Sequence, residues 1–189
     1  FTFNTEGLIE SIAFGLDHIA TNDILTKQAW PEHARVAIIE FLENYKTAFA
    51  LERLDYIRTI FDDNAVIIVG KMVKVAPAAN AENQISTNNH VIQRTRLTKE
   101  QYLKNLERCF NSNEYVNIRF ANNDVIKAGK GGEIYGIQIK QDYYSTNYGD
   151  TGYLFLLVDL NDVKAPLIKV RTWQPEPDPI DGLYNMSHF

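Results

Sequence analysis

The chain predicts an α+β fold in which helices come first and a curved antiparallel sheet follows. Three observations predict it. Residues 41–70, FLENYKTAFALERLDYIRTIFDDNAVIIVG, read as a long amphipathic helix, a short second helix, an Asp-Asp-Asn turn and a buried strand. From residue 115 onward the apolar residues recur at every second position, the period of strands with one face buried. Ten Tyr and ten Phe bring the aromatic content to 12%, which fits a β-rich core and, less commonly, an aromatic-lined cavity.

At 189 residues the chain suits one domain with appended ends. We divide it into an N-terminal helix and connector (1–30), the α+β domain (31–173) and an extended tail (174–189). The net charge of −5 disfavours a broad nucleic-acid surface. The single cysteine, Cys109, excludes an intrachain disulfide and falls on an apolar helix face, the place of a buried thiol. No apolar run approaches the roughly 18 residues a membrane span needs, so no membrane insertion is expected. The first residue is Phe1 rather than a methionine, which inclines the expectation toward an extracytoplasmic location.

Residues 6–20 are expected to be helical, because Leu8, Ile12, Leu16 and Ile19 form one stripe, with Asn4 or Thr5 as cap and Thr21-Asn22-Asp23 as stop. Pro31 suits the first turn of a second helix over 31–51, whose inner face is Ile38, Phe41 or Leu42, Tyr45 and Phe49. A third helix covers 54–61, and Asp62-Asp63-Asn64 breaks it. Val66-Ile67-Ile68-Val69 is too β-branched for a helix and reads as a strand buried on both faces. Residues 76–89 read as a mobile hairpin loop, and 90–97 return to pair with 71–75. Thr98-Lys99-Glu100-Gln101 has the form of a capping box, opening a helix to about Phe110.

Four strands are then expected: 115–128 with a bend at 121–124, 133–145, 153–160 after a turn at 147–152, and 167–173. Gly129-Lys130-Gly131-Gly132 is a hairpin turn; it lacks the Lys-Ser/Thr and helix of a phosphate-binding loop. In the last strand Ile168 and Val170 mark the core face, placing Lys169, Arg171 and Trp173 on the outer face. Leu183, Tyr184, Met186 and Phe189 indicate that the tail docks on the body.

This order, with Ile60-Phe61-Asp62-Asp63-Asn64-Ala65-Val66 leading into the first strand and Arg171-Thr172-Trp173 in the last, resembles the nuclear-transport-factor-2-like superfamily, particularly its SnoaL-like branch. The resemblance covers 31–173. It implies a cone: a curved antiparallel sheet closed by three helices, here with an extra N-terminal helix, around a pocket at the wide end. Members include isomerases, dehydratases, cyclases, epoxide hydrolases and non-catalytic binding or dimerisation modules, so the fold does not choose among functions.

A cone enzyme of this type would use a buried Asp or His with a Tyr or protonated carboxyl as oxyanion partner. Asp142 with Tyr135 is the best such set, although a solvated Asp142 near a strand end is the more ordinary reading. Asp62 and Asp63 are adjacent in a turn and point apart, which favours a local backbone role. His18, His33, His90 and His188 have no ligand spacing, so no metal and no cofactor is expected. Tyr45, Phe49, Tyr56, Tyr135 and Gln141 are the candidate pocket residues.

The expectation is therefore a non-catalytic domain of a longer protein that binds a small hydrophobic ligand or a partner chain, forming a homodimer through the outer sheet face. The alternatives are a small lyase or isomerase acting on a hydrophobic carbonyl compound, and a structural linking or dimerisation module.

Overall fold

The structure is a computed structural model that describes residues 1–26, 31–74, 90–128 and 132–189. The whole loop expected at 76–89 and most of the glycine turn at 129–132 lie outside the described residues. A small hairpin, β1 (Thr2–Phe3) and β2 (Ile9–Ser11), is followed by α1 (His18–Thr26), α2 (Glu32–Ala50) and α3 (Leu54–Ile60). Then come β3 (Phe61–Lys74), β4 (His90–Leu97), α4 (Lys99–Ser112), β5 (Val116–Lys127), β6 (Ile134–Ser145), β7 (Tyr148–Asp159) and β8 (Leu167–Gln174). The curved six-stranded sheet has the order β4-β3-β8-β7-β6-β5. All neighbours are antiparallel except β3 and β8, which pair in parallel and correct the purely antiparallel expectation.

The helices pack on the concave face. Ile38, Leu42 and Tyr45 of α2 are fully buried against Ile67, Ile137, Ile139, Leu154 and Leu156 of the sheet, so the expected inner face of α2 holds. Pro31 is the N-terminal cap of α2 rather than a residue of its first turn. The capping box of α4 is complete: the Gln101 amide N–H donates to Thr98 Oγ1 at 3.2 Å, and the Thr98 N–H donates to Gln101 Oε1 at 3.0 Å.

The helix expected over 6–20 is not formed; it starts at His18 instead. Asn4 Oδ1 accepts from the N–H groups of Glu6 and Leu8, and Gly7 at φ +79° completes a turn that leaves Leu8 and Ile9 exposed. The segment after β2 is tied to α2: Phe14 N–H donates to Thr47 Oγ1 (2.6 Å), Leu16 N–H to Glu43 Oε1 (3.0 Å), and Lys46 Nζ to the Gly15 carbonyl (2.9 Å). Asp17 then caps α1 by accepting from the Ala20 N–H at 2.8 Å, so the expected stop at 21–23 lies inside the helix.

Asp62-Asp63-Asn64 is likewise not a turn but the irregular start of β3, where pairing with β8 slips between Phe61 and Val66. The two carboxylates diverge, Asp62 to Lys169 Nζ and Asp63 to Lys99 Nζ, each at 2.7 Å. On β3 only Ala65, Ile67 and Gly70 are fully buried beyond Phe61, so the strand is less covered on its second face than its β-branched run implied. The bend expected at 121–124 is a bulge in a continuous β5, with Asn122 at φ +50°. The β6–β7 turn is shorter than expected: only Thr146 and Asn147 lie between Ser145 and Tyr148, and Gly149 and Gly152 belong to β7.

The tail docks on the convex face. Phe189 stacks on Phe155 with centroids 6.0 Å apart, and Gln174 Nε2 donates to the carbonyls of Glu176 (2.8 Å) and Gly182 (3.0 Å). Arg94 pairs with Asp178 and lies over the Tyr184 ring at 5.6 Å. Gly136 is the seat of Met186; a β-carbon there would lie 2.5 Å from the Met186 sulfur.

The capping box provides a local test. Thr98→Ala removes one partner of a reciprocal pair at the only polar start of α4, and should cost about 1 kcal/mol in chemical denaturation. The same loss should not appear in Thr59→Ala, whose hydroxyl bonds only the Tyr56 carbonyl on an exposed helix turn.

Candidate functional site

The alternation of β6, β7 and β8 decides what faces the concavity. Gln141 and Tyr143 of β6 point inward, and across the ladder Tyr143 stands opposite Asp150 of β7. Leu156 and Leu154 of β7 lie opposite Arg171 and Trp173 of β8, which in turn lie opposite Ile67 and Val69 of β3. Of these, Gln141, Tyr143, Asp150, Arg171, Trp173 and Val69, with Phe49 of α2 and Tyr102, Leu106 and Cys109 of α4, surround a cavity of about 320 Å³. A second hollow of about 400 Å³ shares Val69, Lys71, Tyr102, Leu106 and Cys109 with it and continues between α4 and Thr95 and Leu97 of β4.

Arg171 and Trp173 thus face the cavity, correcting their expected placement on the outer face. The expectation took Ile168 and Val170 as one core face. The β7–β8 ladder slips between Leu157 and Val158, and Ile168 joins the main core while Val170 does not. Both faces of β8 are buried, so Val170, Thr172 and Gln174 are also covered and the alternation loses its contrast. Gly152 makes room for the Trp173 indole: a β-carbon there would lie 2.6 Å from the ring and from the Gln174 carbonyl.

Arg171 is 7% exposed and its guanidinium sits over the Tyr102 ring, 4.9 Å from the centroid. Arg171 Nε donates to the Tyr45 hydroxyl at 3.3 Å, while Nη1 is buried without a hydrogen-bond partner. Among the described residues no carboxylate forms an ion pair with it. Gln141 Oε1 is also buried without a partner. Three residues that line one largely apolar cavity, Arg171, Gln141 and Tyr102, thus each carry a buried polar atom without a hydrogen-bond partner.

The mouth carries Tyr148 and Asp150, whose hydroxyl and carboxylate are 2.7 Å apart. Burial pushes the Asp150 carboxyl above the usual range, against the Tyr148 hydrogen bond and the Arg171 charge that pull it down. Burial first, and then the bond to Asp150, pushes the Tyr148 phenol up to about 12. Deeper in, Tyr143 Oη lies 3.2 Å from Cys109 Sγ, and burial followed by that contact raises its pKa. Cys109 is half-buried and lines the cavity, which corrects the expectation of a plain core thiol.

The expected site residues divide. Phe49 and Gln141 line the cavity, and Tyr45 lies beneath it, bonded to Arg171. Tyr56 lies elsewhere, in a hollow with Glu40, Asn44 and Pro166. Tyr135 is fully buried with its hydroxyl on Glu133, and does not line the cavity. Asp142 alternates with Gln141 and Tyr143, away from the cavity, and accepts from Thr151 Oγ1 at 2.8 Å. Asp142 and Tyr135 are thus not brought together. Asp150 was hidden by the expected turn at 147–152; carrying the period-two pattern of Leu156 and Leu154 back through Gly152 would have reached it. Among the described residues no group of three or more His, Cys, Asp or Glu is placed to hold a metal ion, and no helix is long and apolar enough to cross a membrane.

Arg171 provides the first test of this site. A buried guanidinium without a carboxylate is costly to the fold. Arg171→Met, which keeps the length and removes the charge, should leave stability unchanged or raise it by up to about 2 kcal/mol. A comparable loss in denaturation would make Arg171 structural instead.

A second test follows from Asp150. Its raised carboxyl pKa means the folded chain holds the proton more tightly than the unfolded one. The resulting stabilisation is fully present below the ordinary carboxylate range and is lost as pH rises through the raised value. Stability measured from pH 3 to 7 should therefore show Asp150→Asn gaining on the wild type as pH rises.

No protein-family model matches the chain, and no curated protein matches it by sequence. Solved structures do. Bd1075 from Bdellovibrio bacteriovorus superposes with a TM-score of 0.53 at 12% identity, over 75% of this chain and 40% of that one. The present chain therefore spans well under half the length of Bd1075. A nuclear-transport-factor-2-like protein of unknown function from Pseudomonas putida aligns at 0.54 and 11% identity, over 82% and 96% of the two chains. A chain of naphthalene 1,2-dioxygenase, solved with indole in the active site, aligns at 0.56 and 10% identity, over 90% and 93%. The sheet order, the concave helices and these superpositions give the chain the α+β cone fold of the nuclear-transport-factor-2-like, SnoaL-like proteins.

Proposed function

We propose that this chain is a non-catalytic domain whose cone pocket binds a small, largely apolar ligand, as part of a longer protein. The observation that carries the reading is the cavity itself. Tyr45, Phe49 and Phe61 could have filled the cone, yet an open volume of about 320 Å³ remains among Phe49, Leu106, Ile118 and Trp173. Close-packed interiors rarely keep such a volume unless something occupies it. The partial coverage of Bd1075 supports a domain within a larger chain. A homodimer through the outer sheet face would need side chains projecting from it. Arg171 and Trp173 face the cavity and the tail covers part of that face, so the pocket carries the proposal.

One observation favours the lyase or isomerase alternative. Asp150 and Tyr148 form a carboxyl–phenol pair at the cavity mouth, in the roles first sought in Asp142 and Tyr135. The two readings separate on Asp150→Asn, which should retain ligand binding in a binding domain and abolish turnover in an enzyme.

The direct test is a thermal-shift screen of small aromatic and aliphatic compounds, neutral and charged, against the wild type and Leu106→Trp, which fills the cavity from α4. Binders should raise the melting temperature of the wild type alone. A screen without binders, or binders that ignore Leu106→Trp and a second filling change, Ile118→Phe, would defeat the ligand reading.

A further inference from the structure

We infer that the ligand of this pocket is a monocarboxylate with a flat apolar body, its carboxylate seated on the Arg171 guanidinium beside the Gln141 amide. The inference rests on the binding reading above and specifies its chemistry.

The cation is the first ground. Burying a guanidinium costs free energy unless an anion or full hydrogen bonding offsets it. Here Tyr45 takes Nε and the Tyr102 ring takes one face, but Nη1 is buried with no partner, in a residue that lines the cavity. Stability alone would favour Met or Leu at that place. A guanidinium held by two tyrosines in fixed orientation is pre-organised to donate to an anion that arrives from the cavity.

The count of charges is the second ground. Among the described residues the cavity lining carries two cations, Arg171 and Lys71, and one carboxylate, Asp150, a net of one positive charge when all three are ionised. A dianion such as a phosphate monoester would exceed that balance. A single negative charge matches it. The Gln141 amide adds a neutral partner that can turn either its oxygen or its N–H to the group.

The walls are the third ground. Phe49, Leu106, Ile118, Tyr143 and Trp173 are apolar or aromatic, and Trp173 is held by the bare backbone at Gly152. Aromatic walls around a cavity of about 320 Å³ suit a planar body, and the adjoining hollow along Thr95 and Leu97 gives it room to extend.

The experiment pairs 2-naphthylacetate with its neutral isostere 2-naphthylacetamide in calorimetric titrations near neutral pH. The wild type should bind the acid at least about tenfold more tightly than the amide, the contrast of a charge-assisted bond with a neutral one. Arg171→Gln should lose that preference while still binding the amide, and Arg171→Lys should keep part of it. Inorganic phosphate should not displace the acid. Equal affinities in the wild type, or displacement by phosphate, would overturn the carboxylate assignment and leave the apolar-ligand reading standing. No binding of either compound, with no effect of Leu106→Trp in the wider screen, would overturn both. The comparison of acid with amide in the wild type needs no variant to fold.

Discussion

A positive charge buried between two tyrosines sets the chemistry of this protein's cavity. Arg171 projects from β8 into the closed side of the cone, where Tyr45 of α2 takes its Nε and Tyr102 of α4 lies under its face. Those three residues come from one strand of the parallel pair and from two of the covering helices. The contact joins sheet and helices beside the cavity, and it leaves Nη1 buried without a partner. Such an arrangement is expensive for the fold, and the expense makes sense when an anion completes it. The surrounding apolar lining strengthens the point, because charge interactions gain strength where water is scarce.

The sheet is shaped to hold that charge in place. Bulges at Ala121–Asp124 in β5 and at Leu157/Val158 in the β7–β8 ladder bend the strands and re-aim side chains around the concavity. The tail covers part of the convex side, with Phe189 on Phe155 and Met186 against Gly136. Covering the second face of β8 lets that strand stay central while its inner face carries an arginine and a tryptophan. Lys169, the other cation of the strand, turns to Asp62 at the irregular start of β3, and that ion pair holds the Asp62 carboxyl below the usual range. The acidic run that marks the helix-to-strand boundary thus serves packing rather than chemistry.

Much of this was legible in the residues themselves. The inner face of α2, the capping box at Thr98, the bend at 121–124 and the docking tail all follow from periodicities and local hydrogen-bond chemistry. Phe49 and Gln141 were named for the pocket. Three features were not legible, each because tertiary contacts overrode a local pattern. The helix expected at 6–20 gave way because Thr47, Glu43 and Lys46 of α2 satisfy the backbone of that segment better than its weak stripe, interrupted by Gly7 and Gly15, could. Arg171 and Trp173 were assigned to the wrong face because Val170 and Thr172 are buried as well as Ile168, and because the β7–β8 ladder slips between Leu157 and Val158. Asp150 was lost in a turn that the glycines at 149 and 152 seemed to announce; Gly152 instead clears space for Trp173. Glycine marks both turns and close approaches, and single-sequence reasoning had no means of choosing between them.

The most direct measurement is an experimental structure of the ligand-free protein at a resolution that places the Arg171 guanidinium and ordered water. An open cavity between Phe49, Leu106 and Trp173 is expected, with Arg171 held by Tyr45 and Tyr102 and a water or small anion on its guanidinium. A cavity closed by collapsed side chains, or Arg171 swung to an ion pair with Asp150, would contradict it.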